Sequence, residues 1–199
     1  MISPRSDAGQ AFPIYLTVVA GLLFLALAYL AVGQASVNRS GAQTAADAAA
    51  LAAAQNTRDQ LGGAWVRVLL DPKKWQDIFD GRTGIDNPNA PCGRAGELAA
   101  QNDAQLSACF SPELLKYRAD VETNKSVGRS VVPGTENVRS KAHAIAEIDP
   151  LCTFKLPGAG AKGTDLPQLT CKDKVWDLKP DDPSGLPKPN DLFDVHLAD

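Results

Sequence analysis

Four cysteines, two histidines and a scatter of carboxylates are the residues here with the chemistry to ligate metal or catalyse. The cysteines, Cys92, Cys109, Cys152 and Cys171, contain no Cys-x-x-Cys unit, and neither His143 nor His196 stands close to one. A zinc site wants closely spaced pairs of such ligands. Four cysteines allow three pairings, and nearest neighbours close the loops that cost least entropy, which favours 92–109 with 152–171. Disulfides persist outside the cytosol, so this part of the chain is expected to be extracytoplasmic. Four reduced, buried cysteines are the alternative.

The carboxylates form no recognisable machinery. The fragment DGRTGID at residues 80–86 lacks the twelve-residue calcium-loop spacing and its closing glutamate. Asp181-Asp182 lies in a proline-flanked loop, where strongly shifted pKa values are not expected. The sequence has no Gly-x-Ser-x-Gly elbow, no phosphate-cradling glycine loop and no His-Glu-x-x-His. The expectation is a protein without enzymatic activity, cofactor or metal. A net charge of -3 carries no basic excess, which argues against nucleic acid as a partner.

The element that must position everything else is FPIYLTVVAGLLFLALAYLAV, residues 12–32, inside an uncharged run from Ala8 to Asn38. As a helix it is about 30 Å long, the hydrocarbon thickness of a bilayer. Pro13 sits near its start, where a missing N–H costs little. A cleaved signal peptide would have a shorter apolar core, and an all-apolar buried helix would need a larger protein around it. The reading is a single membrane span. It follows a short head, 1–11, taken as cytoplasmic, and precedes an extracytoplasmic remainder. The charge bias around the span is weak, so orientation rests mainly on the cysteines.

Beyond the span, residues 33–61 are rich in alanine, and no proline interrupts the chain between Pro13 and Pro72. Alanine is the best helix former, so the helix is expected to continue, with Gly33 and Gly41 as places for a bend. Ala42, Ala46, Ala49 and Ala53 recur three and four apart and share a face. Small-residue faces admit close helix approach, and a lone solvated alanine helix has little apolar area to offset its ordering cost. The expectation is an interface with helices of partner subunits. A stalk folded back on its own C-terminal domain is the alternative.

Residues 62–176 are expected to form a small α+β domain. Gly62-Gly63 is a place for the helix to relax, after which Trp65, Trp75, Ile78 and Phe79 face a core, or the tryptophans anchor at the membrane interface. Residues 80–93 read as a loop and 94–110 as a short helix held between Cys92 and Cys109. Residues 115–123 and 139–149 alternate as antiparallel strands, the second with Ala142, Ala144, Ala146 and Ile148 on one face. Residues 130–132 and 152–156 are candidate additions to that sheet. His143 reads as a surface side chain. The tail, 177–199, is dense in proline and aspartate and is expected to be extended or disordered, although Leu192, Phe193, Val195 and Leu197 make an apolar end able to dock.

The segment GQAFPIYLTVVAGLLFLALAYLAVGQASVNRSGAQTAADAAALAAA, residues 9–54, resembles the N-terminal region of the TadE/TadG-like proteins of tight-adherence (Flp-type) pilus systems. The most specific part is Asp47 framed by alanines, and the alanine-, glycine-, proline- and aspartate-rich composition resembles actinobacterial members. The resemblance implies a bitopic, minor-pilin-like subunit or assembly factor at the cell surface. Its implied partners are other single-span pilus or pseudopilin subunits, the membrane assembly platform and the lipid bilayer. Two departures stand out. The chain lacks the Asp-x-Ser-x-Ser motif of the larger TadG-like proteins, and Ile14 stands where a prepilin-peptidase site beginning at Gly9 would carry glutamate. A membrane-tethered extracytoplasmic binding domain unrelated to pili is the alternative function.

Overall fold

In the computed structural model, which describes residues 11–126, 137–156 and 166–198, one helix dominates. Helix α1 runs unbroken from Ala11–Arg67 over 57 residues, about 85 Å at 1.5 Å per residue. It continues through Gly33, Gly41 and the Gly62-Gly63 pair without a bend assigned to any of them. It ends at Arg67 in a turn that leads to Pro72, which has no N–H to carry the helix on. Its first part, Phe12–Leu30, has a mean hydropathy of 2.1 and is 0% buried. The head before it, with Gly9, lies outside the described residues.

The C-terminal part of α1 is the spine of the domain. A short helix α2 (Trp75–Phe79) and a longer α3 (Ala90–Gln101) follow it, then β1 (Ala104–Phe110), β2 (Lys116–Ser126) and β3 (Arg139–Pro150). A second group comprises β4 (Cys152–Phe154), β5 (Leu169–Cys171) and β6 (Lys174–Trp176), and the chain closes with α4 (Pro189–Leu192) and β7 (Phe193–Leu197). The main sheet is antiparallel throughout, in the order β1-β2-β3-β7, and the small sheet is β4-β5-β6. This is the α+β architecture expected from the alternating segments, with residues 115–123 and 139–149 found as β2 and β3. Residues 130–132 fall outside the described residues, and 152–156 supplies β4 to the small sheet.

Period-two alternation explains which face of the sheet meets α1. Tyr117, Ala119, Val121 and Thr123 of β2 point inward, as do Ala144, Ala146 and Ile148 of β3. The register sets Ala119 opposite Ala144 and Tyr117 opposite Ala146. Against them lie Ala42, Ala45, Ala46, Ala49, Ala50 and Ala53 of α1, all fully buried. Methyl groups on both sides let the helix sit close to the sheet, and each contributes on the order of 0.8 kcal/mol. Larger side chains lock the far end. Between ring centroids, Trp65 lies 5.3 Å from Trp75 at a 57° tilt, Trp75 lies 5.2 Å from Phe154, and Phe79 lies 5.6 Å from Phe193. Both tryptophans expected in a core are there, and the Trp75 indole N–H donates to the Val68 carbonyl at 3.1 Å.

Four expectations are corrected. Residues 94–110 are not one helix: α3 ends at Gln101, where the Asn102 side chain donates to the Leu98 carbonyl. Asp103 then takes a left-handed conformation (φ 56°) that turns the chain into β1. The tail is not extended or disordered where it is described, because β7 completes the main sheet and Leu192 and Phe193 are buried. Residues 33–61 are not separate from the domain, since their alanines form its core. Gly62 serves packing rather than relaxation: a Cβ there would lie 2.7 Å from Pro189 Cγ, so its absence admits α4.

Both disulfides form as the loop argument favoured. Cys92–Cys109 ties α3 to β1 with Cα atoms 5.7 Å apart, and Cys152–Cys171 joins directly opposed residues of β4 and β5. Closing loops of this length stabilises by about 3 kcal/mol each in the chain-entropy account.

Two substitutions test this packing by urea unfolding of the micelle-solubilised full chain, followed by tryptophan fluorescence with disulfides intact. Ala49→Leu overpacks the helix–sheet contact and should cost about 1–3 kcal/mol. Phe193→Ala removes an aromatic from the core and should cost about 3–5 kcal/mol. A tail that played no part in the fold would leave the Phe193→Ala midpoint unmoved.

Candidate interaction surface

All four cysteines are spent in disulfides. Among the described residues no group of three or more His, Cys, Asp or Glu side chains could hold a metal ion. The surfaces left for function are the bare span, the open side of α1 and the outer face of the sheet.

The span is the largest apolar surface. Phe12, Leu16, Leu23, Phe24 and Leu30 are all more than half exposed in the isolated chain. Contiguous apolar surface of this extent marks a membrane or another protein as its natural surroundings. Its length and composition suit one crossing of a bilayer.

The four alanines expected at a partner interface are elsewhere. Ala42, Ala46, Ala49 and Ala53 are fully buried within the chain's own domain, where α3, β2 and β3 pack on α1, so this face is not open to a partner helix in the folded chain. The reason is physical: small side chains admit any flat neighbour, and a sheet carrying Ala119, Ala144 and Ala146 meets the requirement as well as a helix would. The open side of α1 is a different stripe. Thr44, Gln55 and Asp59 are exposed there, and Ala48 and Leu51 are half-buried. Counting the helix face opposite the alanines would have found it in the sequence.

Asp47 acquires a structural partner that no local pattern gives. The Gln43 side-chain amide donates to Asp47 Oδ1 at 2.7 Å and to the His143 main-chain carbonyl at 3.3 Å. Asp47 thus orients Gln43 from one turn away, and Gln43 fastens α1 to β3. These groups border a hollow of about 260 Å³ that Leu197 and Ala198 close from the end of β7.

The outer face of the sheet is charged and internally paired. Lys116 binds Glu147 at 2.8 Å, Arg118 binds Asp120 at 2.9 Å and Lys141 binds Glu122 at 3.4 Å. The hydrogen bond to Glu147 raises the Lys116 pKa; desolvation opposes it, and the nearby charges of Glu113 and Glu147 add to the rise. Exposed pairs of this kind contribute little stability and carry no net field to steer a partner. His143 is exposed, as expected, and His196 lies 3.9 Å from carboxylate oxygens of both Asp149 and Asp194.

Comparison with known proteins bears on the N-terminal part alone. The family model described as "Putative Flp pilus-assembly TadE/G-like" matches residues 9–56, the span and the alanine run. No curated protein and no solved structure matches the chain. The sheet, both disulfides and the tail lie beyond that match. Together, the bare apolar helix and the stapled strand domain define a membrane-associated protein whose N-terminal helix is similar to this family.

Asp47→Ala should free the Gln43 amide and speed hydrogen exchange in the middle of β3, an effect of about 0.5–1.5 kcal/mol for one hydrogen bond. Asp47→Asn keeps an acceptor and should retain most protection. His143→Ala should be silent, because the acceptor at that residue is main chain. Equal protection in all three would show that Gln43 holds nothing.

Proposed function

We propose that this protein is a non-enzymatic, single-span subunit or assembly factor of a tight-adherence-type pilus. The observation that carries the reading is the family match over residues 9–56, which falls on a helix bare of intrachain contacts in its first part. The span anchors the chain and offers its apolar sides to the spans of other pilus or pseudopilin subunits and to the membrane assembly platform. The open stripe of Thr44, Ala48 and Leu51 continues that surface outside the bilayer. The alanine face holds the protein's own domain in a fixed pose on the helix. Work of this kind is binding and calls for no reacting group, in keeping with the disulfide-bonded cysteines and the lack of a metal-holding cluster among the described residues. Two disulfides support an orientation with the N-terminus cytoplasmic and the domain outside.

One observation favours a second reading, a membrane-tethered extracytoplasmic binding domain unrelated to pili. Burial of the alanine face removes the small-residue surface first expected to meet partner helices.

In-cell photo-crosslinking separates the two. Probes at Leu25 in the span and Thr44 on the open stripe should capture another single-span pilus subunit or the platform, while a probe at buried Ala49 should reach only the protein's own domain. Products from Leu25 and Thr44 limited to lipid and self would favour the tethered domain.

A further inference from the structure

We propose that the groove where α1 emerges from the span is a phospholipid headgroup site, selective for a zwitterionic headgroup bearing a primary ammonium. The inference rests on the span and not on the pilus reading.

The groove, about 590 Å³, lies between α1 and the near end of the sheet. Tyr29, Leu30 and Val37 make its apolar wall, and Asp103, Thr123 and Lys125 its polar one. Its height relative to a bilayer follows from the helix. Leu30 ends the apolar stretch, and Val37 stands about 10 Å farther along the axis at 1.5 Å per residue. The interfacial zone on each side of a bilayer is about 5–8 Å deep. The apolar wall therefore starts at the edge of the hydrocarbon, and the polar wall overlooks the headgroups. The helix side is open, since a Cβ at Gly33 or Gly41 would meet nothing within 4 Å. This groove is continuous with the surface that the span presents to lipid.

The polar groups define the headgroup. Lys125 Nζ and Asp103 Oδ2 stand 3.2 Å apart, with both side chains about three-quarters exposed. A phosphodiester beside Lys125 places an attached ethanolamine ammonium within reach of Asp103, so the two ion pairs are exchanged rather than broken. A glycerol headgroup brings the phosphate but no cation for Asp103. A trimethylammonium brings a cation without an N–H to donate. Asn38 adds a separate indication: its Nδ2 is buried against the groove with no hydrogen-bond acceptor among the described residues. A desolvated N–H without a partner is unfavourable, and a phosphate oxygen of a headgroup drawn up between Lys125 and Asp103 would be an acceptor for it.

The test is native mass spectrometry of the full chain extracted from vesicles of equal parts phosphatidylethanolamine, phosphatidylcholine and phosphatidylglycerol with matched acyl chains. Retained phosphatidylethanolamine should exceed each of the others by about fivefold, the factor that about 1 kcal/mol of exposed charge pairing supplies. Lys125→Ala and Asp103→Asn should each bring retention down to bulk proportions with an unchanged melting temperature. Lys125 is exposed, and asparagine tolerates the left-handed turn at position 103. Retention in bulk proportions by the unaltered chain, enrichment of phosphatidylglycerol, insensitivity to both substitutions, or a lipid-free dimer would each overturn the proposal.

Discussion

Contact between the alanine face of α1 and the alanine-bearing face of β2 and β3 is the constraint on which the rest of this structure depends. Neither surface has bulk. Separately, an alanine helix lacks the apolar area to offset its ordering, and strands carrying Ala119, Ala144 and Ala146 are poor strand formers. Together they approach closely enough for methyl groups to fill the gap, and water is excluded from both. Because each methyl contributes little, the contact needs reinforcement. The aromatic cluster of Trp65, Trp75, Phe79, Phe154 and Phe193 supplies it at the end far from the span, where each fully buried large side chain contributes about 1.5–3 kcal/mol. The disulfides add covalent ties within that core, joining α3, whose Ala95 and Ala99 are fully buried, to β1, and β4 to β5.

That arrangement divides one helix between two solvents. The first part of α1 is unburied and suits lipid or other spans; the second is covered by its own sheet and by α3. Continuity through Gly33 and Gly41 means that whatever holds the span also sets the pose of the domain above the membrane. The Gln43–Asp47 pair adds a polar fastening on the side of β3, with one hydrogen bond to a main-chain carbonyl. Function on this scaffold is a matter of surfaces, and the paired charges on the outer sheet leave α1 and its surroundings as the distinctive ones.

Much of this was legible in the sequence. The span is set by hydrocarbon thickness, and the long helix by alanine content and the lack of proline between Pro13 and Pro72. Strands β2 and β3 follow from period-two alternation, and the disulfide pairing from loop entropy. The tail misled because proline and aspartate at 179–191 suppress any local signal, while Phe193 and Leu192 find their stabilisation in residues more than a hundred positions earlier. The break at Asn102-Asp103 was hidden for a related reason: two adjacent residues tolerant of the left-handed region ended a helix that composition alone would continue.

What the sequence determined by itself was the type of α1, β2 and β3 and the solvent of the first part of α1, because periodicity, propensity and length act within a few neighbouring residues. Only the tertiary structure decided what covers the alanine face. A row of methyl groups states that something flat must approach, and a partner helix and the chain's own sheet satisfy that equally. The choice was made when α3, β2 and β3 folded back onto α1, which buries Ala42, Ala46, Ala49 and Ala53 inside the chain's own domain.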